Sequence, residues 1–178
     1  MATETLLPNE LVSSVNLNVT LANVDEGVSN PDNVWATTQT NNANTSLVLG
    51  FPTPTAQLTT GEGLQTFRAR VRKNDNTGTN NTTTVRLEVY ENGSPTGTVG
   101  PLETITATGT GIDITFTWDA SILANIDGSN VQIGIIQQAG GTGNPSGRRR
   151  WIEIDTADWI ADYTPPAGNN ARSFAVFI

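Results

Sequence analysis

The sequence predicts an all-β protein, an antiparallel β-sandwich of jelly-roll-like type with extended N- and C-terminal arms. Apolar and polar residues alternate in short segments such as VNLNVTL at 15–21, and this period of two is typical of half-buried strands. Helical periodicity is nearly absent. Turn-forming pairs, for example Asn92-Gly93 and Asp127-Gly128, separate the segments. Regularly spaced short strands of this kind favour two sheets packed face to face.

Eight or so strands are expected along the chain. The inward positions of the first four are Val15, Leu17, Val19 and Leu21; Leu47, Leu49 and Phe51; Phe67, Ala69 and Val71; and Val85, Leu87 and Val89. Further strands are expected at 102–107, 112–118, 131–136, 150–154 and 159–163. A longer polar loop is expected at 74–82. Only residues 119–124 predict a helical turn, with Asp119 as its N-cap.

Two consecutive segments carry charges on their outward positions. Arg68, Arg70 and Arg72 alternate with the apolar residues of one segment, and Arg86 and Glu88 do so in the next. We expect these strands to pair, with cross-strand Arg/Glu contacts that contribute about 0.2 to 1 kcal/mol each. This pattern predicts a solvated face and no binding site.

Composition limits both domain number and chemistry. A chain of 178 residues buries roughly 70% of its unfolded surface, enough for one domain; we predict an N-terminal arm at 1–10, a sandwich at 11–163 and a linker with a C-terminal strand or arm at 164–178. The formal charge of -8 disfavours a nucleic-acid partner. With no histidine and no cysteine, no cofactor or metal site is predicted. The opening residues have no leader pattern, and no later stretch is as long and apolar as a membrane span. We therefore expect no membrane partner and synthesis in a cytoplasm.

Two kinds of polar site remain as alternatives. Carboxylates of the type used as an acid/base pair occur at Glu153, Asp155, Asp158 and Asp162. Their alternating outward positions favour a solvated surface instead. Oxygen-rich loops of the type that binds calcium occur at 25–26, 30–33, 74–76 and 125–130; none has EF-hand spacing, and turn formation explains them better.

The segment GRRRW at 147–151 concentrates three arginines in this acidic chain. If the segment is extended, Arg148 and Arg150 lie beyond the rim of the core face, while Arg149 and Trp151 point outward. Arginine stems that cover the sandwich edge are the plain interpretation. A subunit contact through Arg149 and Trp151 is the functional alternative.

Both ends of the chain carry apolar side chains. Leu6 and Leu7 lie in the predicted N-terminal arm, and the segment ARSFAVFI at 171–178 follows a linker-like TPPAGNN. This segment either completes its own sandwich or adds to an exposed sheet edge of a neighbouring subunit. The candidate contact residues at the two ends are Leu6, Leu7, Phe174, Val176, Phe177 and Ile178.

The C-terminal third resembles a recurrent segment of tailed-bacteriophage structural proteins, in which a Trp-Asp-Ala-Ser turn leads through a strand and a glycine-rich loop to an Arg-containing strand with a later Trp. The matching stretch is TWDASILANIDGSNVQIGIIQQAGGTGNPSGRRRWIEIDTADWIADY at 117–163. QTFRARVRKN and VRLEVYENG resemble such proteins more loosely, and ARSFAVFI is not part of the pattern. Proteins of this type include capsid decoration or cement proteins, and neck, tail or fibre components.

This resemblance implies a non-enzymatic virion protein. We expect a decoration or cement protein on the outside of the capsid, with the major capsid protein and neighbouring copies of itself as partners. The alternatives are a neck, tail or fibre component and a carbohydrate-binding adhesion module. The adhesion module requires exposed aromatic side chains in a concave groove, so Trp151 and Trp159 side by side in solvent would favour it and their burial would count against it.

Overall fold

The computed structural model describes residues 1–15, 17–29, 31–38, 45–73, 83–106, 109–138 and 152–165. In these ranges the strands are β1 (Ala2–Leu6), β2 (Glu10–Val15), β3 (Leu17–Asn18), β4 (Thr37–Thr38), β5 (Ser46–Gly50), β6 (Gln65–Lys73), β7 (Thr83–Glu91), β8 (Ser94–Val99), β9 (Glu103–Ile105), β10 (Ile112–Trp118), β11 (Val131–Gln138) and β12 (Ile152–Tyr163). Two 3-10 turns, Leu21–Asn23 and Ala120–Ile122, are the helical content of the same ranges. No helix there is long and apolar enough to cross a membrane.

The strands form two antiparallel sheets packed as a β-sandwich, which confirms the predicted all-β sandwich and is compatible with a jelly-roll-like type. Sheet 1 has the order β1-β12-β6-β10. Sheet 2 has the order β2-β5-β11-β7-β8, and β9 also pairs with β7. The short strands β3 and β4 form a separate pair.

An aromatic cluster fills the core between the sheets. Phe67, Trp118 and Trp159 come from Sheet 1, and Phe51 follows the Sheet 2 strand β5. The ring centroids of Phe51 and Phe67 are 5.8 Å apart, and Trp159 lies 5.9 Å from Phe51. These side chains therefore join the two sheets into one core.

Alternation predicted which side chains face inward on β5, β6 and β7, and the structure confirms it. Burial alternates along the whole of β6, with Phe67, Ala69 and Val71 at 0% exposure. The Asn92-Gly93 turn between β7 and β8 has φ angles of 52° and 77°, as a tight hairpin requires. Asp119 caps its 3-10 turn by accepting a hydrogen bond from the Ser121 N–H at 2.8 Å.

The predicted first strand at 15–21 is wrong. β2 ends at Val15, which is 50% exposed, whereas Leu17 is buried in β3 and Leu21 begins a 3-10 turn. The chain changes partners here, because β2 pairs with β5 and β3 pairs with β4. One alternating run therefore spans three elements.

The predicted N-terminal arm is also wrong for residues 2–6. They form β1, which pairs with β12 from Ala2 opposite Tyr163 to Leu6 opposite Trp159. Leu6 packs against the core and Leu7 is 42% exposed. The N-terminal segment is thus an edge strand of Sheet 1.

The expected pairing of β6 with β7 does not occur, because β6 belongs to Sheet 1 and β7 to Sheet 2. Arg86 instead forms an ion pair with Glu88 on its own strand. The segments expected at 150–154 and 159–163 fall in one strand, β12, whose bounds are Ile152–Tyr163. The loop expected at 74–82 lies outside the described residues.

Candidate functional site

The arginines of β6 meet carboxylates of β12 on the outer face of Sheet 1. Arg68 is opposite Asp158 in the strand register, and Arg72 is opposite Glu153. Arg68 Nε donates to Asp158 Oδ1 at 2.7 Å, and Arg72 Nε donates to Glu153 Oε2 at 2.5 Å. We call this set the charge ladder; its members are Arg68, Arg70, Arg72, Glu153, Asp155 and Asp158.

A β-bulge places Asp155 in the ladder. Ile154 is opposite Val71 and Thr156 is opposite Arg70, so Asp155 is the extra residue of β12. The bulge shifts the inward phase of the strand, with Ile154 in the core before it and Trp159 after it. A bulge of this kind explains how one strand has even-numbered and then odd-numbered inward residues.

Residues 24–29 and 31–36, here called the cover segment, pack on the ladder. The Val28 N–H donates to Asp158 Oδ2 at 3.0 Å. Ala36 and Ile154 exchange backbone hydrogen bonds of 2.7 and 3.3 Å. The Arg72 guanidinium carbon lies 4.0 Å from the Trp35 ring centroid, a cation-π contact.

This cover overturns the expected solvated face. Glu153, Asp155 and Asp158 are 4%, 0% and 0% exposed, although alternation placed them outward. These three side chains point away from the core but do not reach solvent, because the cover segment forms a third layer over them. Asp158 therefore fastens this layer to Sheet 1 through its contact with the Val28 N–H.

Asp155 is the least satisfied member of the ladder. Neither of its oxygens has a hydrogen-bond partner of ordinary geometry among the described residues, and Arg70 Nε lies 3.8 Å from Oδ2. Burial raises the pKa of Asp155, and the negative charge of Asp32 raises it further. Arg70 and Arg72, together with the Asn33 backbone, oppose this shift.

A groove of about 490 Å³ separates the end of β1 from the cover segment. It is lined by Thr5, Leu7, Asp25, Glu26, Gly27, Ser29, Arg68 and Asp158. Arg68 is engaged by Asp158 at this site. Glu26 has a buried Oε2 without a hydrogen-bond partner among the described residues, and its pKa is raised by burial first and then by the charges of Asp32 and Asp25. The groove is therefore acidic.

The oxygen-rich loops form turns where the structure describes them. Asp127 accepts hydrogen bonds from the Ser129 N–H and Asn125 Nδ2, both at 2.7 Å, and these bonds lower its pKa, the Ser129 contribution being the largest. Within the described ranges no group of three His, Cys, Asp or Glu residues is placed to hold a metal ion. The candidate at 74–76 lies outside those ranges.

The tryptophans divide between the core and the cover. Trp118 and Trp159 are 3% and 0% exposed, so Trp159 does not present the solvent-exposed face that an adhesion module requires. Trp35 stacks against Arg72. The described residues do not include the remaining candidates, Trp151 and Arg149, or the neighbouring Arg148 and Arg150.

The predicted contact residues of the chain ends have different outcomes. Leu6 and Leu7 lie at the end of β1, with Leu7 beside the groove. Phe174, Val176, Phe177 and Ile178 lie outside the part of the chain that the structure describes. The sequence did not predict that Leu7 lies next to Asp25 and Glu26. This contact depends on the path by which the loop after β3 returns to β1, and no hydrophobic period in the sequence indicates that path.

Fold and site together define a β-sandwich protein with a fastened third layer on one sheet. The sequence matches no known family model, and no curated protein is similar to it.

Proposed function

We propose that this protein is a non-enzymatic structural component of a bacteriophage virion, a decoration or cement protein on the outside of the major capsid shell. The resemblance of residues 117–163 supports a virion origin. In this role the protein stabilises the shell by binding the major capsid protein and neighbouring copies of itself. Its terminal segments provide the contacts.

One observation carries the proposal: the chain enters and leaves Sheet 1 at the same corner. Ala2 pairs with Tyr163, and the Thr164 N–H donates to the Gln57 carbonyl at 3.1 Å on the other side of the exit. Met1 is 83% exposed at this corner. Both terminal segments can therefore reach the same neighbouring surface.

The energetics suit attachment to a lattice. A short apolar segment on a neighbour gives a small interface that is weak in isolation. When many copies bind a repetitive surface, each linked contact raises the effective concentration of the next. The shell then resists opening although no single contact is strong.

The decisive experiment binds purified protein to capsids that lack it and locates it by electron microscopy. A variant without residues 169–178 should keep its circular dichroism spectrum and lose at least about tenfold in attachment, equivalent to about 1.4 kcal/mol. The matched control is Asp113→Asn, which changes an exposed charge far from the exit corner and should attach normally. Undiminished attachment of the deletion variant contradicts the role of this segment.

The same images separate the proposal from its nearest alternative. Density over the head lattice supports decoration, whereas density confined to the neck, tail or fibres supports one of those components, since the resemblance is shared with them. The adhesion module has less support, because Trp159 is buried in the core.

A further inference from the structure

Among the described residues, the outer edge of β1 pairs with no other strand, and it lacks the features that protect the edges formed by β2, β8 and β10. β8 carries Pro95 and β2 carries a bulge between Leu11 and Ser13, while β10 presents Asp113. Proline, bulges and charges are the usual protection against strand addition. The only charged residue of β1 is Glu4. Its two carboxylate oxygens accept hydrogen bonds from the N–H and Oγ1 of Thr55, both at 2.7 Å, so this charge does not protect the edge against strand addition.

The same edge ends at the acidic groove. Leu7 extends the line of β1 and lines the groove with Asp25 and Glu26. Glu26 keeps a buried oxygen without a hydrogen-bond partner among the described residues, and the nearby cation Arg68 is held by Asp158. The groove therefore suits an added cationic side chain next to an apolar one.

We propose that the free edge of β1 binds residues 171–178 of a neighbouring copy as an added antiparallel strand, with Arg172 in the acidic groove. This inference rests on the proposed function, and it names the surface that receives the terminal segment. In ARSFAVFI the residues Arg172, Phe174 and Val176 share one face of an extended strand. That face lies over the outer side of β1.

The direction of the added strand identifies its source. The chain's own segment leaves Sheet 1 beside Ala2, so a direct turn onto its own β1 would give a parallel strand and place Arg172 at the end away from the groove. A segment from another copy is free to run antiparallel, which is the more stable pairing. Only that direction brings Arg172 beside Leu7.

The antiparallel direction also fixes a register. With Arg172 opposite Leu7, Phe174 is opposite Thr5 and Val176 is opposite Thr3. Thr5 pairs with Ile160 of β12, an outward-facing and half-buried residue. Phe174 then lies next to Thr5 on the outer face of Sheet 1, on the same side as Ile160.

Cysteine cross-linking tests this register, because the chain has no cysteine of its own. Thr5→Cys and Phe174→Cys proteins are purified separately, mixed and oxidised, and the second pair is Thr3→Cys with Val176→Cys. Each mixture should give a disulfide-linked heterodimer, since disulfides form only between residues that are nearly opposite. The matched control, Thr115→Cys on the other edge of Sheet 1, should not link to Phe174→Cys.

Charge reversal tests the groove separately. Arg172→Glu should lower the heterodimer yield by about threefold, the scale of a partly exposed ion pair, and adding Glu26→Lys should restore it. Equal linkage to Thr115→Cys, no linkage at all, or an internally linked monomer in the Thr5→Cys/Phe174→Cys double variant each overturn the proposal.

The two proposals fail independently. Cross-linking is measured in solution without capsids, so its failure leaves the attachment test in place. Intact cross-linking with no attachment to capsids would count against decoration and leave the strand exchange between copies standing.

Discussion

Asp158 holds three elements together through one carboxylate. It accepts hydrogen bonds from Arg68 Nε and Nη2 on β6 and from the Val28 N–H of the cover segment, and its side chain is 0% exposed. Asp158→Asn should lower the free energy of unfolding by about 2 to 3 kcal/mol, because it leaves the Arg68 charge without its partner. The loss is below that of a fully buried pair, since Arg68 is 23% exposed.

Urea denaturation at pH 7 measures this change. The control is Asp113→Asn, whose carboxylate is 49% exposed and 3.6 Å from Arg70, and it should change stability by less than about 0.5 kcal/mol. Equal effects of the two substitutions would contradict a structural role for the Asp158 pair.

Asp155 makes the stability of the folded chain depend on pH. Burial, and then the charge of Asp32, raise its pKa, so the folded chain binds this proton more tightly than the unfolded chain does. The contribution of this group to stability is therefore greatest below the unfolded pKa, about 3.9, and is lost as the pH rises through the folded pKa. Asp155→Asn, which removes the charge, should raise the free energy of unfolding at pH 7 by about 1 kcal/mol.

The test follows unfolding of both proteins from pH 3 to pH 8. The difference between Asp155→Asn and the parent should shrink at the acid end, where Asp155 is protonated in both states. A variant less stable than the parent at pH 7 would show that attraction to Arg70 and Arg72 outweighs the cost of burial.

The β12 bulge can be removed without changing which other residues of the strand face the core. Deleting Asp155 leaves Ile154 and Ala157 on the inward face of a regular strand, because the bulge residue is the one that breaks the period of two. We expect the deletion variant to fold with a loss below about 2 kcal/mol. Deletion of Arg70 from β6, which has no bulge, turns Val71 away from the core and should abolish the native circular dichroism spectrum; equal tolerance of both deletions would contradict this account.

Sequence patterns predicted which face of a strand each side chain lies on better than they predicted which strands pair. The alternation of β6 identified Phe67 and Val71 as core residues, since a period of two follows from strand geometry alone. The same pattern assigned the β6 arginines to the wrong partner strand, because pairing depends on contacts between residues far apart in the chain. Asp155 was placed outward correctly, but its burial comes from a covering layer that the alternation of β12 does not encode.

The candidate site was partly visible in the sequence. Arg68, Arg72, Glu153 and Asp158 were all recognised as charged outward positions. Their direct pairing depends on the antiparallel register of β6 with β12, which places Arg72 opposite Glu153. Asp25 and Glu26 were noted as oxygen-rich, whereas the groove that they form with Leu7 depends on the return of the cover segment to β1.

At the scale of the whole molecule, the aromatic cluster makes the two sheets one cooperative unit. Phe51 is 6% exposed, and its ring centroid lies 5.8 Å from Phe67 and 5.9 Å from Trp159. Phe51→Ala should lower the free energy of unfolding by about 3 to 5 kcal/mol. Because Phe51 follows a Sheet 2 strand and both neighbours lie in Sheet 1, the loss should weaken both sheets together.

Far-UV circular dichroism and near-UV aromatic signals, followed in the same urea titration, should therefore give one coincident transition for the parent and for the variant. The slope of free energy against urea should stay the same, since the same surface is exposed on unfolding. Val34→Ala, at a residue 46% exposed, is the control and should shift the midpoint little. Two separate transitions in the Phe51→Ala variant would mean that each sheet is stabilised on its own. The aromatic cluster would then not couple Sheet 1, with its exit corner, to Sheet 2.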